Sequence, residues 1–298
     1  MLSQLLLNTL IIGSGYALVA MAFRLMYWVS PFFNLTLGAS AALGAYMGYA
    51  LAPLLGAPAP AFAGVTTVFL IAAWAVAVIL VAAFTWGLEA FVYKPIREIG
   101  ASPMVLLVVS LGIYTIFESL IHLAFGPQYQ TLGSAVDFSK FMGIPTAQFI
   151  IIALGVVVLA GLSFMLQRTF FGKQVRAIHD SPQLANLVGL DVPRVVMIVS
   201  VLTGAILGAY GLCVGYDTGM EPTMGFNILF KGMIAAIIGG PSIVGAYLGA
   251  MVLAGAENVG VWLFASQWRD VIAFVIFIIL LWLRPDGIFN RKYRRKNC

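Results

Sequence analysis

Residues 167–194 read QRTFFGKQVRAIHDSPQLANLVGLDVPR, a hydrophilic island between two long apolar stretches. It holds Arg168, Lys173, Arg176 and Arg194. Within it the ends of a short helix are legible. Ser181 suits an N-cap, because its hydroxyl can accept an otherwise unpaired backbone N–H. Pro182 suits the first helical position, where a missing N–H costs nothing. Gly189 suits the left-handed residue that closes a helix. Between them Leu184, Leu187 and Val188 stand at i, i+3 and i+4 and form one apolar stripe. A rod of about 10 Å is too short to be stable alone. It therefore docks, and two surfaces fit: a soluble partner or the lipid headgroups.

Outward from the island, composition decides the class. Hydrophobic residues make up 62% of the 298 and charged ones 9%, against roughly 25% charged in soluble domains. Mean hydropathy is +1.02. Apolar segments run over 5–29, 34–55, 62–90, 104–125, 148–166, 195–216, 228–264 and 271–283. About 20 apolar residues span a bilayer, so the expected fold is all-α: a polytopic helical membrane protein of about eight apolar segments. It forms one transmembrane domain over residues 1–298, with membrane lipid as its surroundings. Short connections carry the turn-formers Pro31, Pro58, Pro60, Pro95, Pro127, Pro145 and Pro222. No polar stretch is long enough to fold as a domain, so any ATP hydrolysis belongs to another chain. The first apolar run lacks a basic n-region and exceeds a signal peptide's core, and it reads as a retained helix.

The net charge of +5 does not point to nucleic acid. Its densest cluster, Arg291, Lys292, Arg294, Arg295 and Lys296, reads as a cytoplasmic anchor. Cys213 and Cys298 do not form a disulfide framework. There is no P-loop, HExxH or CxxC pair and no metal-ligand cluster. His179 reads as a solitary surface side chain.

The 37-residue run 228–264 is too long for one span, and Gly239-Gly240-Pro241-Ser242 breaks it. Irregular backbone at membrane depth survives only where protein or water shields it, so a broken or re-entrant pair is expected there. Charge bias agrees. Lys94 and Arg97, the island and the basic tail all belong on the cytoplasmic side, with the N-terminus outside and the C-terminus inside. Segment 271–283 supplies one crossing after Asp217, so 228–264 must return to the side it left. A helix beginning near Ser242 would direct a positive dipole end at a carboxylate. Glycines 204 and 208, 211 and 215, and 245 and 249 have the spacing of close helix packing within the fold.

Ionisable residues in apolar runs are expensive unless they face a pathway or a partner. Glu118 and His122, at i and i+4, are placed to pair with each other. Lys231 precedes the break and Glu257 follows it by about four turns. Glu89 lies near a helix end and reads as snorkelling to the headgroups, without a role.

Several local stretches together resemble one family. They are Asn34-Leu-Thr-Leu-Gly38 with Leu43-Gly-Ala-Tyr46, and Tyr93-Lys-Pro-Ile-Arg97. Further on come Arg176-Ala177, Ala185-Asn-Leu-Val-Gly-Leu190, Ile238-Gly-Gly-Pro-Ser-Ile-Val-Gly-Ala246, Ala256-Glu257 and Leu283-Arg-Pro-Asp-Gly-Ile-Phe289. In order and spacing they resemble the permease subunits of branched-chain amino-acid ABC importers, the LivH type, over nearly the whole chain. Leu37 stands where that family usually has His, and Pro241 where it more often has a small residue. The resemblance implies a translocating subunit that is not itself an enzyme, in a bacterial inner membrane. Its implied partners are a second, LivM-type permease, two cytoplasmic ATPase subunits carrying ATP-Mg, and a periplasmic binding protein. It binds no cofactor itself. Docking on an ATPase then becomes the expected role of Arg176, Ala177, Ser181, Leu184, Ala185, Leu187, Val188 and Gly189. The expected pathway residues are Asn34, Glu118, His122, Gly239, Gly240, Ser242 and Glu257. Two other readings stay open. One is the same architecture moving urea, short amides or another small carboxylate. The other is a stand-alone carrier or channel with an ion path through Glu118, His122 and Glu257.

Overall fold

The computed structural model describes residues 2–54, 67–130, 146–263, 266–283 and 287–288. The basic tail, Pro58, Pro60, Pro145 and most of the 283–289 motif lie outside these residues. Among the described residues twelve α-helices follow one another: α1 Leu2–Val29, α2 Thr36–Leu54, α3 Thr67–Leu88, α4 Lys94–Glu98, α5 Pro103–Phe125 and α6 Thr146–Arg168 come first. Then come α7 Phe170–Asp180, α8 Pro182–Leu187, α9 Val192–Asp217, α10 Met224–Gly239, α11 Ile243–Leu263 and α12 Arg269–Leu283. A π turn, Glu89–Tyr93, joins α3 to α4 without interrupting the rod. No strand forms among the described residues. An isolated bridge pairs Gln130 with Met220. Six of the described helices are long and apolar enough to cross a membrane, namely α1, the α3–α4 rod, α5, α6, α9 and α11.

The first helix is the hub. Ala17 to Ala22 are each no more than 1% exposed, because α6, α9, α10 and α11 surround α1. A helix apolar on every side has no solvent face to present and takes the centre. Elsewhere, small residues set the packing distance. Gly208 meets Gly44 of α2, Gly211 meets Ala41, Gly204 meets Thr85 of α3, and Gly249 meets Ala235 of α10. The glycine spacing in the sequence therefore serves packing inside the chain, as expected.

The run 228–264 does turn back on itself. α10 and α11 meet at Gly240, whose φ of +83° ends α10. The location differs from the expectation of a break at membrane depth. The turn lies at the end of the bundle shared with α7, next to the last turn of α1. α10 has 16 residues, about 24 Å at 1.5 Å each, which carries the chain to that end before it reverses.

Candidate functional site

The island folds as two capped helices in tandem. The Thr169 hydroxyl accepts from the Gly172 N–H at 3.1 Å and opens α7. The Ser181 hydroxyl accepts from the Leu184 N–H at 3.4 Å and opens α8, with Pro182 in the first turn. Gly189 takes φ +85°. Its N–H reaches the Asn186 carbonyl at 3.0 Å, and the Leu190 N–H reaches that of Ala185 at 3.1 Å. These are the two bonds of a Schellman stop. Gly172, Val175 and Ile178 bury one face of α7 against α6 and α1. α8 is held by Ala185, which is buried, while Leu184, Leu187 and Val188 are 63%, 82% and 81% exposed. The stripe read from the sequence thus faces away from the chain. Arg176 and Ala177 lie on α7, Arg176 exposed. Sequence reasoning missed α7, although Gly172, Val175 and Ile178 at i, i+3 and i+6 behind a Thr cap were a usable signal.

His179 is exposed but not solitary: its ring stacks on Trp28 at 5.3 Å between centroids. Partial desolvation of the ring pushes its pKa below the ordinary histidine value and the Arg24 charge adds to this, while Asp180 opposes it. Trp28 also donates to the Pro241 carbonyl at 3.1 Å, and Arg24 donates to the same oxygen at 3.2 Å. Gly239, Gly240 and Ser242 are therefore joined to α7 through α1. The Ser242 hydroxyl accepts from the Gly245 N–H at 2.8 Å, so α11 caps itself at the point where a carboxylate was expected. The Ile288 N–H closes the corner on the Ile238 carbonyl at 2.8 Å.

Away from that turn, in the other half of the bundle, charges cluster around Glu257, 1% exposed. Tyr16 Oη donates to Glu257 Oε2 at 2.9 Å. Lys231 Nζ lies 3.7 Å from Glu257 Oε1 and 2.9 Å from Asp270 Oδ1. The longer separation makes an ion pair but not a hydrogen bond. Lys231 also lies 5.5 Å above the Tyr16 ring. A cavity of about 240 Å3 adjoins this cluster, bordered by α1, α6, α9, α10 and Arg269.

The other expected pathway residues do not join it. Asn34 is buried at the start of α2, accepting from Thr36 N–H at 3.1 Å and Tyr93 Oη at 3.2 Å. That is a capping arrangement, and Leu37 nearby is buried among apolar side chains. Glu118 bonds Tyr114, and no ion pair links it to His122 among the described residues. Glu89 does not snorkel. It is 1% exposed and ion-paired with Arg97, which also donates to Ser30 Oγ at 2.9 Å. In a plain α-helix residues eight apart point about 80° away from each other. The intervening π turn adds a residue to one turn and brings the two into line.

The family model described as the branched-chain amino acid transport system permease component matches residues 5–281. The chain belongs to that family. The high-affinity branched-chain amino acid transport system permease protein BraD of Pseudomonas aeruginosa is 28% identical, over 97% of this chain and 95% of that protein. The corresponding LivH of Escherichia coli is 25% identical over the same shares, 97% and 95%. The xylose transport system permease protein XylH of Escherichia coli is 27% identical over 51% of this chain and 40% of its own length. No solved structure matches the chain. As a family member it is a multi-pass membrane permease, and its polar island is the α7–α8 unit.

Proposed function

We propose that this chain is the translocating subunit of an ABC importer for branched-chain amino acids, working with a second permease, two ATPase subunits and a binding protein. Two relatives matching it nearly end to end carry that substrate class in their names. The observation that carries the reading is α8, fixed at both ends yet presenting Leu184, Leu187 and Val188 to the outside. A lipid-surface helix needs no such rigid stop, whereas a helix that transmits force does. α8 enters a cleft on an ATPase subunit, where ATP-Mg is bound by that subunit and not by this chain. α7 passes the movement to Trp28 by way of His179, and Trp28 with Arg24 passes it to the α10–α11 turn. The shift of α10 and α11 against α1 then changes the face from which the cavity opens, as a rigid-body form of alternating access. α8 and the turn lie on the cytoplasmic side, and the N-terminus lies outside.

Copurification separates this from a stand-alone carrier. Tagged chain, coexpressed with the ATPase and second permease subunits of its source, is expected to retain both ATPase subunits in detergent. Its proteoliposomes should take up L-leucine only with ATP and binding protein. Uptake by this chain alone, driven by an ion gradient, would refute the proposal.

A further inference from the structure

In the Glu257 cluster two buried polar atoms lack a hydrogen-bond partner among the described residues, Glu257 Oε1 and Arg269 Nε. Lys231 is neutralised by Asp270 and Glu257, which answers the Glu257 charge, and Tyr16 donates to its Oε2. Arg269 Nε is buried and meets no hydrogen-bond partner among the described residues. A buried guanidinium nitrogen without an acceptor keeps its full desolvation cost. Arg269 lines the cavity of about 240 Å3 and also a wider groove of about 750 Å3 beside the first turns of α1 and the end of α11. Asp217, at the end of α9, lines the same cavity, its carboxylate met by the Gln148 side chain. Ile12, Ile151, Val214 and Ile228 give the wall a branched apolar part, beside the polar Tyr16, Asn227 and Lys231.

We propose that this cavity binds a single zwitterionic amino acid with a branched apolar side chain, Arg269 receiving the carboxylate and Asp217 the ammonium group. This rests on the importer reading above and deepens it. A guanidinium fork matches a carboxylate in plane, with two parallel N–H donors. Asp217 supplies the opposite sign, and the isoleucine and valine side chains remove the ligand's side chain from water. At roughly 30 Å3 per water, a cavity of about 240 Å3 holds about eight waters, the bulk of one small amino acid. Urea carries no charge for either residue. A sugar would leave both charges and the apolar wall without counterparts.

The test reads occupancy directly. In the assembled transporter, without binding protein, Thr218→Cys is placed at the cavity edge with Cys298→Ser as background. Modification by a small methanethiosulfonate reagent is timed with L-leucine, leucinol (no carboxylate) or 4-methylpentanoate (no ammonium) at equal concentration. L-leucine is expected to slow modification about ten-fold, the scale of one charge-assisted contact. The two analogues should leave the rate unchanged. Adding Arg269→Gln or Asp217→Asn should abolish the protection, and Arg269→Lys should restore part of it in a complex that assembles normally. Equal protection by leucine and leucinol would overturn the assignment, as would none by leucine in a complex whose ATP-driven leucine uptake is intact. Absent leucine uptake by the unmodified complex with its binding protein points instead to failure of the importer reading.

Discussion

Lys231 joins two carboxylates, one buried and one exposed, and its removal should show how much the buried one depends on it. Lys231→Met leaves Glu257, 1% exposed, without its cation, and breaking a buried pair from one side costs about 3–5 kcal/mol. A lowered unfolding temperature in detergent is expected. Lys231→Met with Glu257→Gln should recover much of the loss, since the uncompensated charge is gone; equal losses in both would show that Glu257 is held by other means. At this scale, what the sequence disclosed depended on distance along the chain. Ser181 and Gly189 act on groups within a few residues, so their caps could be read directly. Tyr16 and Glu257 are 241 positions apart, and no local pattern announces their bond. Glu89 was misread because Lys94-Pro95 looks like a loop, whereas the π turn carries the helix on to Arg97.

Among the elements, the contact of α2 with α9 depends most on the absence of side chains. A Cβ on Gly211 would collide with the Ala41 carbonyl. Overpacking of this kind costs about 1–3 kcal/mol, occasionally more. Gly211→Val should therefore lower the unfolding temperature measurably. Gly161→Ala on α6, where nothing lies within 4 Å, should leave it unchanged. Equal behaviour of the two variants would show that the α2–α9 approach is not tight. The glycine spacing made this packing legible, because small residues at four-residue intervals serve little else in an apolar helix. The Gly239-Gly240 turn was equally legible, but its depth was not. Depth is fixed by Arg24 and Trp28 reaching the Pro241 carbonyl, contacts between segments more than 200 residues apart.

For the whole molecule, the proposed orientation rests on charge bias and puts α8 and the α10–α11 turn inside and the N-terminus outside. In a Cys298→Ser background, Gln4→Cys should react with an impermeant maleimide in intact cells, and Ser181→Cys should react only after permeabilisation. Reaction at position 181 in intact cells would invert the arrangement. The family and the helical class were within reach of the sequence, because composition and ordered motifs carry both. The charged cavity was not, since its residues come from five helices. The most direct test is ATP-driven L-leucine uptake by the complete transporter with Leu187→Asp on α8. The residue is 82% exposed, so the fold should tolerate the charge, while a cleft closing over it should not. The predicted result is a permease inserted and paired as before, with ATPase subunits lost or hydrolysing ATP without transport. Full retention of the ATPases together with full uptake would contradict the claim that α8 couples ATP hydrolysis to translocation.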